Sequence, residues 1–297
     1  MIIWGLSYGH HDAAAAVFHN GELVGGRRFF NKTISQSDIN QLINKYGHPD
    51  KIIIHENKWR DLWRKVKTGD WYRLFDGFIK LPVKPIYCNH HLSHASYGYY
   101  TSPFTGPAFV IVADAVGELE TLAVYKFDGR QHQKIYQLQY PNSIGLFYSY
   151  HTARLDFMPN GEEYKVMELA KYGGSTYDDD VRSSVWFDRG ILLANQPLHL
   201  RPSADQMVFD PVKRADTAAT VQAMTEEYFM QLLTAMYITQ KDNVVFAGGV
   251  AYNTSVVAKI RERVANLYVP RFPGDAGSAL GCVLDYHKVH VDERRWI

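Results

Sequence analysis

The sequence predicts an α/β fold made of two lobes, and three observations carry that expectation. Strand-like apolar runs alternate with segments of helical periodicity along the chain. One three-strand pattern occurs twice, within residues 2–24 and again within residues 109–138, and a repeated unit of this kind marks a duplicated fold. With 297 residues and 46% hydrophobic side chains, the chain has enough apolar material to fill cores in two units of ordinary size. The expected division is an N-terminal lobe over residues 1–105 and a C-terminal lobe over residues 106–297.

In the first copy, residues 2–6 form an apolar run, Tyr8-Gly9-His10-His11-Asp12 a polar loop, and residues 13–18 a second run. The turn His19-Asn20-Gly21-Glu22 then leads into Leu23-Val24. Asn-Gly between apolar runs is a hairpin signal because both residues tolerate positive φ. The second copy has strands at 109–113, 121–127 and 134–138, with Asp128-Gly129 as its turn. In each copy a carboxylate, Asp12 or Asp114, lies at or just after the first strand's end, where two lobes would face a shared cleft. Between the copies, residues 38–46 read as a helix behind an Asp cap and 51–55 as a short strand. Residues 58–75 place Trp59, Leu62, Trp63 and Val66 at helical spacing among six bases. They read as an amphipathic helix with solvated bases, or as a nucleic-acid face. Residues 86–87 are a strand and 90–99 helical. Helices are expected over 143–155, 165–171 and 216–239, with a charged surface stretch at 177–189. The chain finishes with a strand at 244–246, a double-glycine turn, a helix reaching 265, a strand at 267–269 and a helix from about Gly274.

Composition excludes several classes. Lys+Arg 32 against Asp+Glu 31 leaves a formal charge of +1, so no global charge draws the chain to nucleic acid or anionic lipid. Two cysteines, Cys88 and Cys282, cannot build a disulfide framework or a four-thiolate zinc site. The apolar run at 109–113 stops at Asp114, far short of the roughly 20 residues that span a bilayer. The opening residues lack the charged and apolar regions of a signal peptide. The expectation is a soluble cytoplasmic protein with no membrane partner.

The chemistry concentrates in Asn89-His90-His91-Leu92-Ser93-His94-Ala95. On a helix, His90 and His94 project from one face and can hold a single metal ion. The same cluster can also read as a hydrogen-bonded or anion-binding site. No Glu follows the first His as in a zincin, so further ligands must come from a distance, and Asp114 and Asp275 are the natural donors. Two imidazoles and two carboxylates suit Fe(II), Mn or Zn, with iron favoured over a structural zinc, which prefers thiolates. The second constellation is Ala247-Gly248-Gly249-Val250-Ala251-Tyr252-Asn253, a strand turning into a helix. Such a turn lets backbone N–H groups approach a phosphate, or is simply a tight turn. Pro273 to Gly277 is a similar turn that contains a carboxylate.

These blocks resemble the carbamoyltransferases of the nodulation and antibiotic-biosynthesis type. The resemblance is collinear over nearly the whole chain: His11-Asp12-Ala13-Ala14, His90 to Ala95, Ser143-Ile144-Gly145-Leu146-Phe147, Pro159-Asn160-Gly161-Glu162 with Lys165 to Gly173, Gly248-Gly249 with Asn253, and Gly274 to Gly281. It implies a two-lobed, duplicated actin-like ATPase (ASKHA) fold, related to the tRNA threonylcarbamoyl-adenosine enzyme. It implies transfer of a carbamoyl group from carbamoyl-adenylate to an acceptor hydroxyl beside bound iron. His90, His94, Asp114 and Asp275 would ligate the metal. Gly145, Glu162, Lys165, Gly248, Gly249 and Asn253 would surround ATP or the adenylate, and His11 and Asp12 would face the transferring group. The family's adenylate-forming second domain is not within these 297 residues. The expectation is therefore that a separate adenylate-forming protein, or a missing part of the same gene, supplies the adenylate, or that this domain works with a different donor. The acceptors considered are 5-hydroxymethylcytosine in DNA, as in stand-alone phage members, and a small sugar or antibiotic hydroxyl. Other readings are a non-catalytic nucleotide-binding partner subunit, a sugar kinase and a tRNA threonylcarbamoyl transferase. The His-rich helix disfavours the kinase.

Overall fold

Two five-stranded sheets of one design frame the protein, seen in a computed structural model that describes residues 1–8, 12–30, 32–56, 62–63, 79–174 and 179–297. The first contains β1 (Ile2–Ser7), β2 (Ala13–His19), β3 (Glu22–Phe29), β4 (Lys51–Ile54) and β5 (Ile86–Tyr87), in the order β3-β2-β1-β4-β5. The second contains β6 (Ala108–Gly117), β7 (Glu120–Asp128) and β8 (Gln131–Gln139), a separate hairpin β9 (Val185–Asp188) and β10 (Ile191–Ala194) intervening in sequence before β11 (Asn243–Ala247) and β12 (Asn266–Tyr268). Its order is β12-β11-β6-β7-β8. In each sheet the first three strands form an antiparallel meander, and the last two add in parallel beside the first. The repeated sequence pattern is thus a repeated topology. The Asn20-Gly21 turn has φ of 52° and 86°, which suits the right-handed twist of a tight hairpin.

Both sheets are covered on both faces, so their strands alternate between two cores. Ala13, Ala15 and Val17 face one side of the first sheet, while Ala14, Ala16 and Phe18 face the other. The outer face carries α1 (Gln36–Tyr46). The inner face meets a central layer of two helices, α2 (His90–Thr101) and, at the far end of the chain, α8 (Asp275–His287). α8 packs on β1 and β2, and α2 packs on β6, β7 and β11 of the second sheet. Beyond that sheet lie α3 (Ile144–Arg154), α4 (Glu163–Leu169), α5 (Asp179–Arg182), α6 (Pro211–Ala235) and α7 (Thr254–Arg263). No helix among the described residues is long and apolar enough to cross a membrane.

Some elements differ from the sequence reading for local reasons. α1 is capped by Ser35, which accepts from the Asp38 N–H, and Asp38 closes a capping box from the N3 position instead of serving as the cap. α6 begins at Pro211 behind an Asp210 cap, five residues before the expected Asp216, because proline fits the first helical turn. The described part of the charged surface stretch 177–189 forms α5 and the start of the β9–β10 hairpin, with most of its residues exposed or half-buried. Apart from Leu62 and Trp63, the basic-aromatic segment 58–75 lies outside the described residues.

The central helices approach so closely that side chains must be missing at the crossing. A Cβ on Gly281 would sit 1.8 Å from the Ser93 carbonyl oxygen, and one on Gly5 would sit 1.9 Å from that of Ala279. Gly281→Ala should therefore destabilise by about 2 kcal/mol or more, as overpacking does. Gly106→Ala, with nothing within 4 Å of the added methyl, should stay within about 0.5 kcal/mol of wild type. Urea melts of the two variants check this pair of outcomes.

Candidate metal centre and nucleotide cleft

α2 and α8 start at the same end of the sheets. The first residue of α2 is His90, that of α8 is Asp275, and β6 breaks its pairing with β7 between Ala113 and Gly117, where Asp114 lies. One helical turn brings Nε2 of His90 and His94 to 3.2 Å. His90 Nε2 lies 3.7 Å from Asp114 Oδ2 and 3.5 Å from Asp275 Oδ1, while His94 Nε2 lies 3.4 Å from each of the same oxygens. The four donor atoms all fall within 4.8 Å of one another. Ligand bonds of about 2.0–2.2 Å place neighbouring donors roughly 3 to 4.3 Å apart, so the set fits one transition-metal ion. Asp114 Oδ2 is buried without a hydrogen-bond donor, as a ligand oxygen would be.

The surroundings prepare these atoms. The Pro273 carbonyl accepts from Nδ1–H of His94 at 3.0 Å, leaving the Nε2 lone pair aimed at the cluster. Asp114 Oδ1 accepts from the Ala115 N–H at 2.8 Å, which turns Oδ2 inward. Asp275 occupies the first turn of α8, where the helix dipole favours a carboxylate. Gly117 leaves room for the His90 ring, since a Cβ there would come within 2.2 Å of it. Burial opposes charging of His90, but Asp114, Asp275 and Glu56 outweigh it and raise its pKa above the ordinary 6.5. His91 points elsewhere: it is buried, its Nδ1 lies 3.9 Å from Glu120, and burial with the neighbouring His90 charge holds it well below the ordinary value.

The three candidate glycines gather on the strand that carries Asp114. A Cβ on Gly145 would meet the Asp114 carbonyl oxygen at 2.6 Å, and one on Gly249 would meet Asp114 Oδ1 at 3.0 Å. Gly248 has φ +88°, and a Cβ there would lie 2.2 Å from the Ala113 carbonyl oxygen, so the turn accepts only glycine. Glu162 and Lys165 pair with each other at 2.5 Å, with Lys165 about two-fifths exposed. Glu162 also accepts from the Met158 N–H. Asn253 caps α7, accepting from the Val256 N–H at 3.0 Å, and exchanges hydrogen bonds with Gln222. Thr254 Oγ1 lies 3.3 Å from Met167 Sδ, which sets the start of α7 beside α4.

His11 lies outside the described residues. Asp12 is held in a bidentate pair by Arg28, at 2.7 and 2.9 Å, so its charge is already matched. Arg28 stacks on Phe30 and on Phe272, the residue before Pro273, which ties this pair to the loop that carries Asp275. In the sequence Arg27-Arg28-Phe29-Phe30-Asn31-Lys32 reads only as a partial match to the family's basic motif, and the pairing of Arg28 with Asp12 comes from the fold of the first meander. Asp12 also bears on Tyr252, whose phenol is raised by burial and by that carboxylate.

Metal binding here requires neutral imidazoles, so it must displace the proton that Asp114 and Asp275 favour on His90. In the metal-free protein that protonated pairing stabilises below pH 6.5 and is lost as pH rises through the raised His90 value. Affinity for Fe(II) or Zn(II) should therefore climb with pH above 6.5, with proton release visible as a buffer-dependent binding enthalpy. Elemental analysis of anaerobically purified protein should find about one transition-metal ion per chain. His94→Ala should remove it, and His91→Ala, which takes away no donor, should leave it.

The chain is similar to uncharacterized proteins of Synechocystis sp., at 30% identity over 98% of this chain and 58% of that protein, and of Methanocaldococcus jannaschii, at 28% over 92% and 55%. It spans about half the length of the curated relatives it matches. Among solved structures it superposes on the activator of 2-hydroxyisocaproyl-CoA dehydratase from Clostridium difficile with bound ADPNP, with TM-score 0.55, 16% identity, and coverage of 97% of this chain and 94% of that one. HypF of T. kodakarensis gives 0.55 at 12%, covering 99% and 48%, and a ROK family protein from Streptococcus pneumoniae gives 0.52 at 8% over the whole of both chains. The architecture is accordingly the two-lobed actin-like ATPase fold. Residues 51–284 match the family described as carbamoyltransferase N-terminus, and by that match over most of its length the chain belongs to the carbamoyltransferase family.

Proposed function

We propose that this chain is the transfer half of an O-carbamoyltransferase: it holds carbamoyl-adenylate against the His90, His94, Asp114 and Asp275 cluster and passes the carbamoyl group to an acceptor hydroxyl. The observation that carries this reading is the convergence of those four donors, within 4.8 Å, in a chain of the carbamoyltransferase family. A metal bound there supplies Lewis acidity toward an oxygen of the donor. Gly145, Gly248 and Gly249 let their backbones pack directly against the strand at Ala113 and Asp114, and the N–H groups of such a glycine turn are suited to meet a nucleotide's phosphate. Lys165 offers a point charge to that phosphate, or to the ribose, from the rim. Arg28 spends Nε and Nη2 on Asp12, and no hydrogen bond among the described residues occupies Nη1, which is left to contact the donor's anionic part. In the transfer itself the acceptor oxygen bonds to the carbamoyl carbon, the carbon–phosphate oxygen bond breaks, AMP departs, and the hydroxyl proton goes to a base. His11 is assigned that role from its place in the first loop. The dehydratase activator, which shares the fold, has bound ADPNP, and this supports an adenine nucleotide as a ligand here.

The test supplies the donor directly, because a separate adenylate-forming protein is part of this reading. Synthetic carbamoyl-adenylate, or carbamoyl phosphate and ATP with an adenylate-forming domain added, is offered with 5-hydroxymethylcytosine DNA or with an aminoglycoside. Acceptor-dependent AMP release with a carbamoylated product is expected, and His94→Ala should lower it at least about 100-fold. Tight nucleotide binding with no transfer to either acceptor would instead favour a non-catalytic nucleotide-binding subunit.

Lys165 and Asn253 separate binding from stability. Lys165→Ala should weaken ATP affinity several-fold and leave the melting temperature unchanged, since an exposed pair contributes little to folding. Asn253→Ala should also lower stability by about 1 kcal/mol through the lost cap. Calorimetric titration beside thermal melts reads both.

A further inference from the structure

Three aromatic rings stand beside the loop that carries Asp275, and carbamoyl transfer as described leaves them without a role. Phe272 precedes Asp275 by three residues and is held from several directions. Its N–H donates to the Tyr97 hydroxyl at 3.2 Å, its carbonyl packs against Gly277, and its ring meets the buried Trp296 edge-on at 5.8 Å. The Arg28 guanidinium stacks on this ring at 5.1 Å and on that of Phe30 at 4.7 Å. One face of Phe30 is thereby covered, yet the residue is still 66% exposed, so its other face is open. Tyr252 ends the tight helical turn Gly249–Tyr252 and is 49% exposed. Its ring edge lies 3.0 Å from the place a Cβ on Gly274 would take, and its hydroxyl faces Asp12 and Arg28.

A single exposed aromatic side chain needs no explanation, but rings that flank one ion pair beside a metal loop form a surface. Asp12 and Arg28 cancel each other's charge in their bidentate pair, so this wall is aromatic and electrically neutral. A polycationic acceptor finds no counter-charge on it. A planar ring does gain there, since stacking on an aromatic side chain orders few rotatable bonds. Glu162 and Lys165, assigned to the nucleotide, lie at α4 beyond the second sheet, whereas Phe30 follows β3 of the first. The wall is thus left to the acceptor.

We propose that Phe30 and Tyr252 select the acceptor by stacking on a planar aromatic or heteroaromatic ring that carries the hydroxyl to be carbamoylated. This assignment rests on the carbamoyl-transfer reading and adds the acceptor's chemical class to it.

Benzyl alcohol and cyclohexylmethanol test it, because they carry the same hydroxymethyl group on a planar and on a puckered ring. The saturated ring exposes at least as much apolar surface, so hydrophobic burial alone does not favour the planar one. With the full chain supplied with Fe(II) and synthetic carbamoyl-adenylate, benzyl alcohol should react with kcat/KM at least about fivefold above that of cyclohexylmethanol. Phe30→Leu and Tyr252→Leu keep apolar bulk at exposed positions but lose the flat ring, and each should lower that ratio at least about threefold without shifting the melting temperature. Tyr252→Phe keeps the ring and should keep the ratio. Trp186→Leu, which removes an exposed ring of the β9–β10 hairpin, should change nothing. ATP affinity, read by calorimetric titration, should be the same in all four variants. Equal use of the two alcohols, use of neither while another acceptor is carbamoylated, or a preference that survives both leucine variants would overturn the assignment and leave the transfer reading standing. Weakened ATP binding in Phe30→Leu with the preference intact would give this wall to the adenine and overturn it likewise. Transfer to no acceptor at all would remove both readings together.

Discussion

The packing of α2 against α8 fixes the positions on which the rest of the structure depends. Each helix follows the fifth strand of a sheet, and the two lie back to back between the sheets. At the crossing, Gly281 and Gly277 remove the side chains that would hold the helices apart; a Cβ at Gly277 would lie 2.3 Å from the Phe272 carbonyl oxygen. Close-packed interiors tolerate little change in volume, so the separation and register of the pair are set by contact rather than by a favourable charge interaction. Because the helices start at the same end, their first residues meet. Two imidazoles and a carboxylate are therefore brought together before any ligand arrives.

This juxtaposition is electrostatically demanding. Two carboxylates and two imidazoles share a nearly dry space, where charge is expensive unless compensated. In the metal-free protein the compensation is a proton, drawn to His90 by Asp114, Asp275 and Glu56. A metal ion satisfies the same carboxylates without that proton, so metal occupancy and protonation compete for one set of atoms. The Pro273 carbonyl makes the competition specific by fixing the His94 tautomer from outside the cluster. That carbonyl also accepts from the Gly248 N–H at 2.8 Å, so the double-glycine turn and the metal loop are held as one unit.

The two halves share a sheet plan but differ in what is inserted into it. Between β3 and β4 the described elements are limited to α1, whereas between β8 and β11 the chain builds α3 to α6 and the β9–β10 hairpin. α3 runs from Gly145, packed against the strand that carries Asp114, to Arg154, which lines a polar cavity. The elaborated half thereby carries a polar cavity that the duplicated plan alone does not require.

Much of this was legible in sequence because the signals are local. Asn-Gly between apolar runs, alternating apolar residues, and histidines four apart each depend on backbone geometry a few residues long, and the repeat of one pattern disclosed the duplication. His90 and His94 on one face followed from helical pitch alone. Their company with Asp275, 181 residues from His94 in sequence, does not follow from periodicity; in the sequence it rests on a resemblance and on the chemistry of donors. Only the tertiary structure sets α8 against α2 and breaks β6 at Asp114. It also gives Asp12 to Arg28, and it makes Asn253 a helix cap bonded to Gln222. The physical reason is that helix crossings, buried ion pairs and cavities are decided by which surfaces fit after the chain folds. No window of sequence contains both partners of such a contact.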